Sequence, residues 1–256
     1  MTTRHTAAAV SAAFLAALGG CASGPSSFAN ARGEQSGARS APLAGEVVVG
    51  VAYDDRGIPR YQAPVKKLTL DDIAAELLAM RELDQELVRE TTGGFFLDPA
   101  EVARIREIDR AHAARLAQIV DHIGWPTREQ VGVEAAQGAF VVVQHAGHDP
   151  ELQNRCLALM VDQVEAGRLP APYVALLTDR VRLFADKPQV FGTQMTFETG
   201  PDGVARCVPA VTIEDPANLD ARRDLMGLPP HTNFVAQLEQ AYQTQHGGAF
   251  ASVLVE

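Results

Sequence analysis

Sulfur, aromatic rings and positive charge are all scarce in this sequence: its 256 residues hold three cysteines, a single tryptophan, an aromatic share of 6%, and 22 Lys and Arg against 32 Asp and Glu. So few thiols exclude a disulfide-built scaffold, and the absence of any CxxC or HExxH spacing leaves no zinc-type pattern. The formal net charge of −10, without a basic run interleaved with aromatics, excludes a nucleic-acid partner. No apolar stretch reaches the roughly 20 residues a membrane-spanning helix needs. A GxSxG elbow, a phosphate loop, a dinucleotide fingerprint and a kinase motif set are all missing. Among the serines only Ser252 lies beyond the first 45 residues, in the tail after "HGG". Cys156 occupies an apolar helical position, where a buried free thiol is expected rather than a disulfide with Cys207. Covalent catalysis is therefore the least supported enzymatic scheme, and neither a cofactor nor a metal is expected.

What is present begins with the leader. Arg4 and His5 precede the uncharged stretch Thr6 to Leu18, and "LGGC" closes it with small residues before Cys21. This arrangement resembles a bacterial lipoprotein signal peptide over residues 1–21, with Cys21 as the lipidated first residue of the mature chain. The resemblance implies a partner, the lipid bilayer reached through Cys21. It also implies a place in the bacterial cell envelope: Ala22, rather than Asp, follows the cysteine, which points to the outer membrane facing the periplasm in a Gram-negative cell. Residues 22–45 are rich in Gly, Ser, Ala and Pro without hydrophobic period, the composition of a flexible tether. Residues 46–256 then suffice for one core and are read as a single globular domain.

Helical periodicity dominates that domain. "TLDD" opens a helix with a capping box from Thr69 to Asp72, and Leu70, Ile73, Leu77, Met80 and Leu87 form its stripe, on which Asp84 stands where a leucine is expected. "DPAE" starts a second helix with Asp98 as cap and Pro99 in the first turn. Its stripe is interrupted by Asp109 and His112. After "GWP", Thr127 and Gln130 frame a third start, and "VGVEAAQGAFVVVQHA" is apolar nearly all round, its Ala and Gly suited to close packing on several sides. Gly147 stops that helix; Asp149 and Pro150 cap the next. A fifth helix places Tyr173, Leu177, Arg180 and Phe184 on its inward face. From Pro188 the period changes to that of a hairpin, "QVFGTQMTFE" and "VARCVPAVTI" around "TGPDG", with Gly192 as a bulge. Two further helices, "NLDARRDLMG" and "HTNFVAQLEQAYQTQ", follow. "GEVVVGVAYDD", residues 45–55, reads as a short strand at the domain entrance. The fold class expected is mainly α (α+β): a single domain of five to seven helices with a small β-hairpin near the C-terminal third.

"GWPTREQVG", "VVVQHAGHD", "ALLTDRV", "PQVFGTQ" and "DARRDLMGLPP", in this order, make the chain resemble the bacterial family grouped as domain of unknown function 6624 from about Leu70 to Phe234. Family strings resemble "GWP", "QHA", "DRV" and "YGTQ"; Phe191 stands here at the tyrosine position. The resemblance implies no activity but a set of positions: Asp84, Gln85, Asp109, Gln144, His145, Asp179, Arg180, Gln189, Gln194 and Arg223.

Two readings of these residues remain open at this point. In one, they line a pocket for a small polar ligand: His145 acts as general base oriented by Asp109 or Asp179, Arg180 holds an anionic group, and Asp84, Gln144, Gln189, Gln194 and Arg223 bind. In the other, the module is a membrane-tethered, non-catalytic scaffold or interaction domain, and the same residues form a buried network, Arg180 pairing with Asp84 or Asp109. No protein partner is assigned. His145 and His148 stand three apart, but Gly147 between them ends the helix, so they do not share an ion in helical geometry.

Overall fold

The computed structural model describes residues 51–92, 99–201 and 204–246. The leader, Cys21, the tether, the Asp98 cap, the Asp202–Gly203 turn tip and Ser252 lie outside the described residues. The chain is mainly helical, with two small antiparallel strand pairs. β1 (Val51–Tyr53) pairs with β2 (Pro59–Tyr61). The helices are α1 (Leu70–Thr92), α2 (Pro99–Ile123), the single turn α3 (Arg128–Val131), α4 (Val133–His145), α5 (Pro150–Glu165) and α6 (Ala171–Phe184). A hairpin of β3 (Met195–Thr199) and β4 (Ala205–Pro209) precedes α7 (Leu219–Leu225) and α8 (His231–His246).

Helix starts follow the caps written in the sequence. The Asp72 carboxylate accepts from the Thr69 N–H at 2.9 Å while Thr69 Oγ1 accepts from the Asp72 N–H at 3.2 Å, the reciprocal pair of a capping box. Gln130 Oε1 accepts from the Thr127 N–H at 3.0 Å. Asp149 Oδ1 accepts from the Leu152 N–H at 3.0 Å, with Pro150 in the first turn of α5. The third helical region is broken in two at Gly132, whose φ of +85° belongs to the left-handed region that glycine enters without a steric penalty.

α4 is the centre of the domain and touches α1, α2, α3, α5 and α6. That surrounding is why it is apolar nearly all round, with Ala135, Ala139, Phe140, Val142 and Val143 in the core. Gly138 lets α1 approach: a Cβ there would collide with the Leu77 carbonyl oxygen. Seven residues on from each, His145 meets Asp84. Equal spacing in the same sense means that α1 and α4 run side by side in parallel, two turns separating the tight crossing from the polar contact.

The hairpin is shorter than its sequence pattern. Residues 189–194 form a loop fastened to α6 instead of a strand, because the N–H groups of Val190, Phe191 and Thr193 are taken by a side chain of that helix, Asp179. Gly192 turns this loop at φ +61° rather than forming a bulge. Across the hairpin Phe197 lies opposite Cys207, and the Phe197 ring stacks on Tyr242 of α8 with centroids 4.0 Å apart. Cys156 and Cys207 are both buried free thiols, and burial pushes each up to about 12.

Candidate functional site

Four helices each deliver a polar side chain to the C-terminal end of α4. Asp84 arrives because the stripe Ile73, Leu77, Met80 on α1 continues through it at helical spacing. Asp109 and His112, three apart, share one face of α2. Gln144 and His145 are the last two residues of α4, and Arg180 comes from the last turns of α6. Asp84 Oδ1 accepts from His145 Nδ1 at 2.8 Å, the imidazole side chain 25% and the carboxylate 12% exposed. Gln85 Nε2 donates to the other Asp84 oxygen at 3.3 Å. The Nδ1 contact selects the tautomer that leaves Nε2 for proton exchange. Asp84, rather than Asp109 or Asp179, is the carboxylate that orients His145.

Burial works against a charged His145, and Arg180 opposes it further. The hydrogen bond and charge of Asp84, joined by the charge of Asp109, outweigh both and leave the imidazole pKa raised. Asp109 differs in kind. Burial pushes its carboxyl up to about 6, with His145 pulling down and Asp84 adding to the rise. Among the described residues nothing hydrogen-bonds it. His112 is driven by burial down to about 4, so it stays neutral near pH 7 despite the Asp84 charge. Burial lowers Arg180 to about 10, which leaves it a cation at neutral pH. Its Nε donates to Gln144 Oε1 at 3.3 Å, and its guanidinium carbon lies 6.0 Å from the centre of the Phe184 ring.

A second polar group sits elsewhere and is closed. Asp179 is fully buried; Oδ1 accepts from the Val190 N–H at 2.7 Å, and Oδ2 accepts from the Thr193 N–H and hydroxyl, both at 2.9 Å. Burial raises its pKa, and the donors of Thr193, Phe191 and Val190 oppose that rise. Gln189 behaves as a piece of backbone: Oε1 accepts from the Gln194 N–H at 2.6 Å, and Nε2 donates to the Gln194 and Val211 carbonyls at 2.9 and 3.0 Å. Gln194 Nε2 donates to the Leu176 carbonyl at 3.3 Å. Arg223 Nε and Nη1 donate to the Pro229 and Phe191 carbonyls, and its guanidinium lies 5.1 Å from the Phe234 ring centre. Phe191 thus serves the loop through its main chain, which any side chain supplies.

Of the residues named from sequence, Asp84, Asp109, Gln144, His145 and Arg180 come together, while Asp179, Gln189, Gln194 and Arg223 hold a separate loop. Arg180 meets Gln144, not the carboxylate expected. His148 is exposed beyond the helix end. His112 belongs to the first cluster, and its spacing of three from Asp109 was the available signal. The buried pair Glu76–Arg115, bidentate at 2.7 Å, is a third polar feature; only the place of Glu76 on the α1 stripe hints at it. Phe184, expected on the inward face of α6, is 52% exposed. Among the described residues no group of three His, Cys, Asp or Glu side chains is arranged to hold a metal ion, and no helix is long and apolar enough to cross a membrane.

Fold and site together define a helical domain with an imidazole–carboxylate cluster at the end of its central helix. The chain belongs to the family of unknown function DUF6624, whose model matches residues 71–246. No curated protein and no solved structure matches it.

Proposed function

We propose that this domain binds a small polar molecule at the cluster of Asp84, Asp109 and His145 and acts on it by general acid–base, hydrolase-like chemistry. The observation that carries the reading is the pairing of an oriented imidazole of raised pKa with a carboxyl that burial pushes up to about 6 and that has no hydrogen-bond partner among the described residues. Between those two pKa values Asp109 is ionised and His145 protonated. Asp109 then takes a proton from water or a substrate hydroxyl, and His145 Nε2 delivers one to the leaving atom. Asp84 keeps the imidazole in the tautomer and orientation for that delivery. The resemblance of residues 1–21 to a lipoprotein signal ending at Cys21 supports a cell-envelope location for this chemistry, with residues 22–45 as the tether from the bilayer.

The scaffold reading is favoured for one part of the molecule, the Asp179 loop, where the carboxylate oxygens of Asp179 and both ends of the Gln189 amide are spent on loop groups. For the cluster, a thermal-shift screen of small polar metabolites tests the proposal, followed by turnover assays on any molecule that stabilises. His145→Gln and Asp109→Asn are expected to fold, and each to lower kcat about a hundredfold or more. Unchanged turnover in both would refute it.

A further inference from the structure

One buried donor in the cluster has nothing to bond. Gln144 is 5% exposed; its Oε1 accepts from Arg180 Nε, which settles which end of the amide is oxygen, and its Nε2 has no partner among the described residues. Buried amide hydrogens are almost always satisfied in folded proteins, so an orphan beside a guanidinium marks a place where an acceptor belongs. The surroundings determine what kind of acceptor. Arg180, whose Nε holds the oxygen end of the amide, contributes positive charge directly beside it, while the charge of His145 is already answered by Asp84 and Asp109. A negatively charged oxygen would satisfy the amide and lie against the guanidinium charge at once.

The surroundings of the amide have a shape as well as a charge. Phe184 lies one turn beyond Arg180 on α6, half exposed, with the guanidinium near its face. Its ring lies directly on Gly147, two residues past His145, where a Cβ would collide with it. The missing side chain at Gly147, just past the end of α4, therefore lets an aromatic plane stand beside the turn that carries His145. A half-exposed phenyl ring over a buried arginine is a surface on which another flat group stacks.

We propose that the ligand of this site is a flat small molecule bearing an oxyanion, an aryl carboxylate or aryl phosphate, whose charged oxygen accepts from Gln144 Nε2 beside Arg180 and whose ring lies against Phe184. The inference rests on the reading of the cluster as a ligand site and adds the ligand's chemical class. It does not require that Asp109 and His145 perform chemistry.

Calorimetric titration of the chain with benzoate, phenyl phosphate, acetate and the neutral isostere benzamide tests it. At least one aryl anion is expected to bind, the preferred one telling carboxylate from phosphate, with benzamide weaker by about tenfold or more. Gln144→Glu keeps an acceptor for Arg180 but removes the amide donor, and is expected to weaken that anion by about tenfold or more. Gln144→Met is the isosteric second variant should Glu fail to fold. Phe184→Ala, at an exposed position, is expected to weaken the aryl anion severalfold and leave acetate unchanged. Benzamide binding as tightly as benzoate, no binding by any of the four, or wild-type affinity in the Gln144 variants would overturn the inference. Anion binding that persists in Asp109→Asn and His145→Gln without turnover in any variant would remove the acid–base proposal and leave this one standing. Turnover that depends on Asp109, together with indifference to every anion, would do the reverse.

Discussion

Two polar groups lie within a few residues of each other along α6, and they have opposite characters. Asp179 faces a loop that fills its carboxylate with donors and seals it. Arg180, the next residue and so about 100° round the helix, faces the cluster where Asp109 has no hydrogen-bond partner among the described residues and the Gln144 amide keeps a donor unspent. A buried polar group that is fully bonded specifies structure; one held in place with capacity left over is available to a ligand. Both groups come from the same kind of sequence signal, a charge on an apolar face. Only the tally of bonds made separates them.

The comparison breaks most visibly at the closed group. Asp179→Ala strands the N–H groups of Val190, Phe191 and Thr193 and frees the 189–194 loop, with an expected loss of about 4 kcal/mol read by chemical denaturation. A loss below about 1 kcal/mol would mean that the loop is held by something else. The next effect belongs to the open group. Asp84→Asn removes the charge that raises the His145 pKa, so the imidazole should titrate lower by NMR, with a stability loss of about 1–2 kcal/mol. Because a raised histidine stabilises below its ordinary 6.5 and loses that contribution as pH climbs through its folded value, the deficit should be largest near pH 5–6.

Asp109→Asn sharpens the contrast through its sign. A carboxyl raised from 3.8 to about 6 favours the folded state below its ordinary pKa and loses that advantage as pH rises through 6. The asparagine variant should therefore match the native protein near pH 3.5 and melt higher than it above pH 7, in thermal scans across that range. Equal melting temperatures at all pH values would place Asp109 in water. The smallest effect is expected outside both groups: His148→Ala, at an exposed residue past the end of α4, should change stability by less than about 0.5 kcal/mol and leave ligand binding untouched.

Much of this architecture was legible in the chain. The caps at Thr69, Thr127 and Asp149, the close-packed apolar helix ending at His145, and the stop before Gly147 follow from local rules, because each depends on neighbours within a few residues. The "QHAGHD" stretch divides as those rules require, one histidine inside and one in a helix-to-helix turn. Other features resisted for a common reason. The strand pattern of "QVFGTQ" is sound as local propensity, yet a carboxylate from α6 claims the N–H groups of Val190, Phe191 and Thr193, and no local rule foresees that. Glu76 and Arg115, 39 residues apart, neutralise each other across two helices, and neither announces the other in sequence. Phe184 has the right period for the core but extends past the end of α4 onto Gly147.

By itself, then, the sequence determined where most of the helices begin and that several charges must face inward, since periodicity and capping are short-range physics. The tertiary structure alone decided which of those charges met. Parallel packing of α1 on α4, permitted by the missing side chain at Gly138, put Asp84 against His145 two turns later. The facing of consecutive residues on α6 then sent Asp179 to a loop and Arg180 to the cluster. Partner choice depends on distances between helices, and those are set by packing rather than by any residue's own preference.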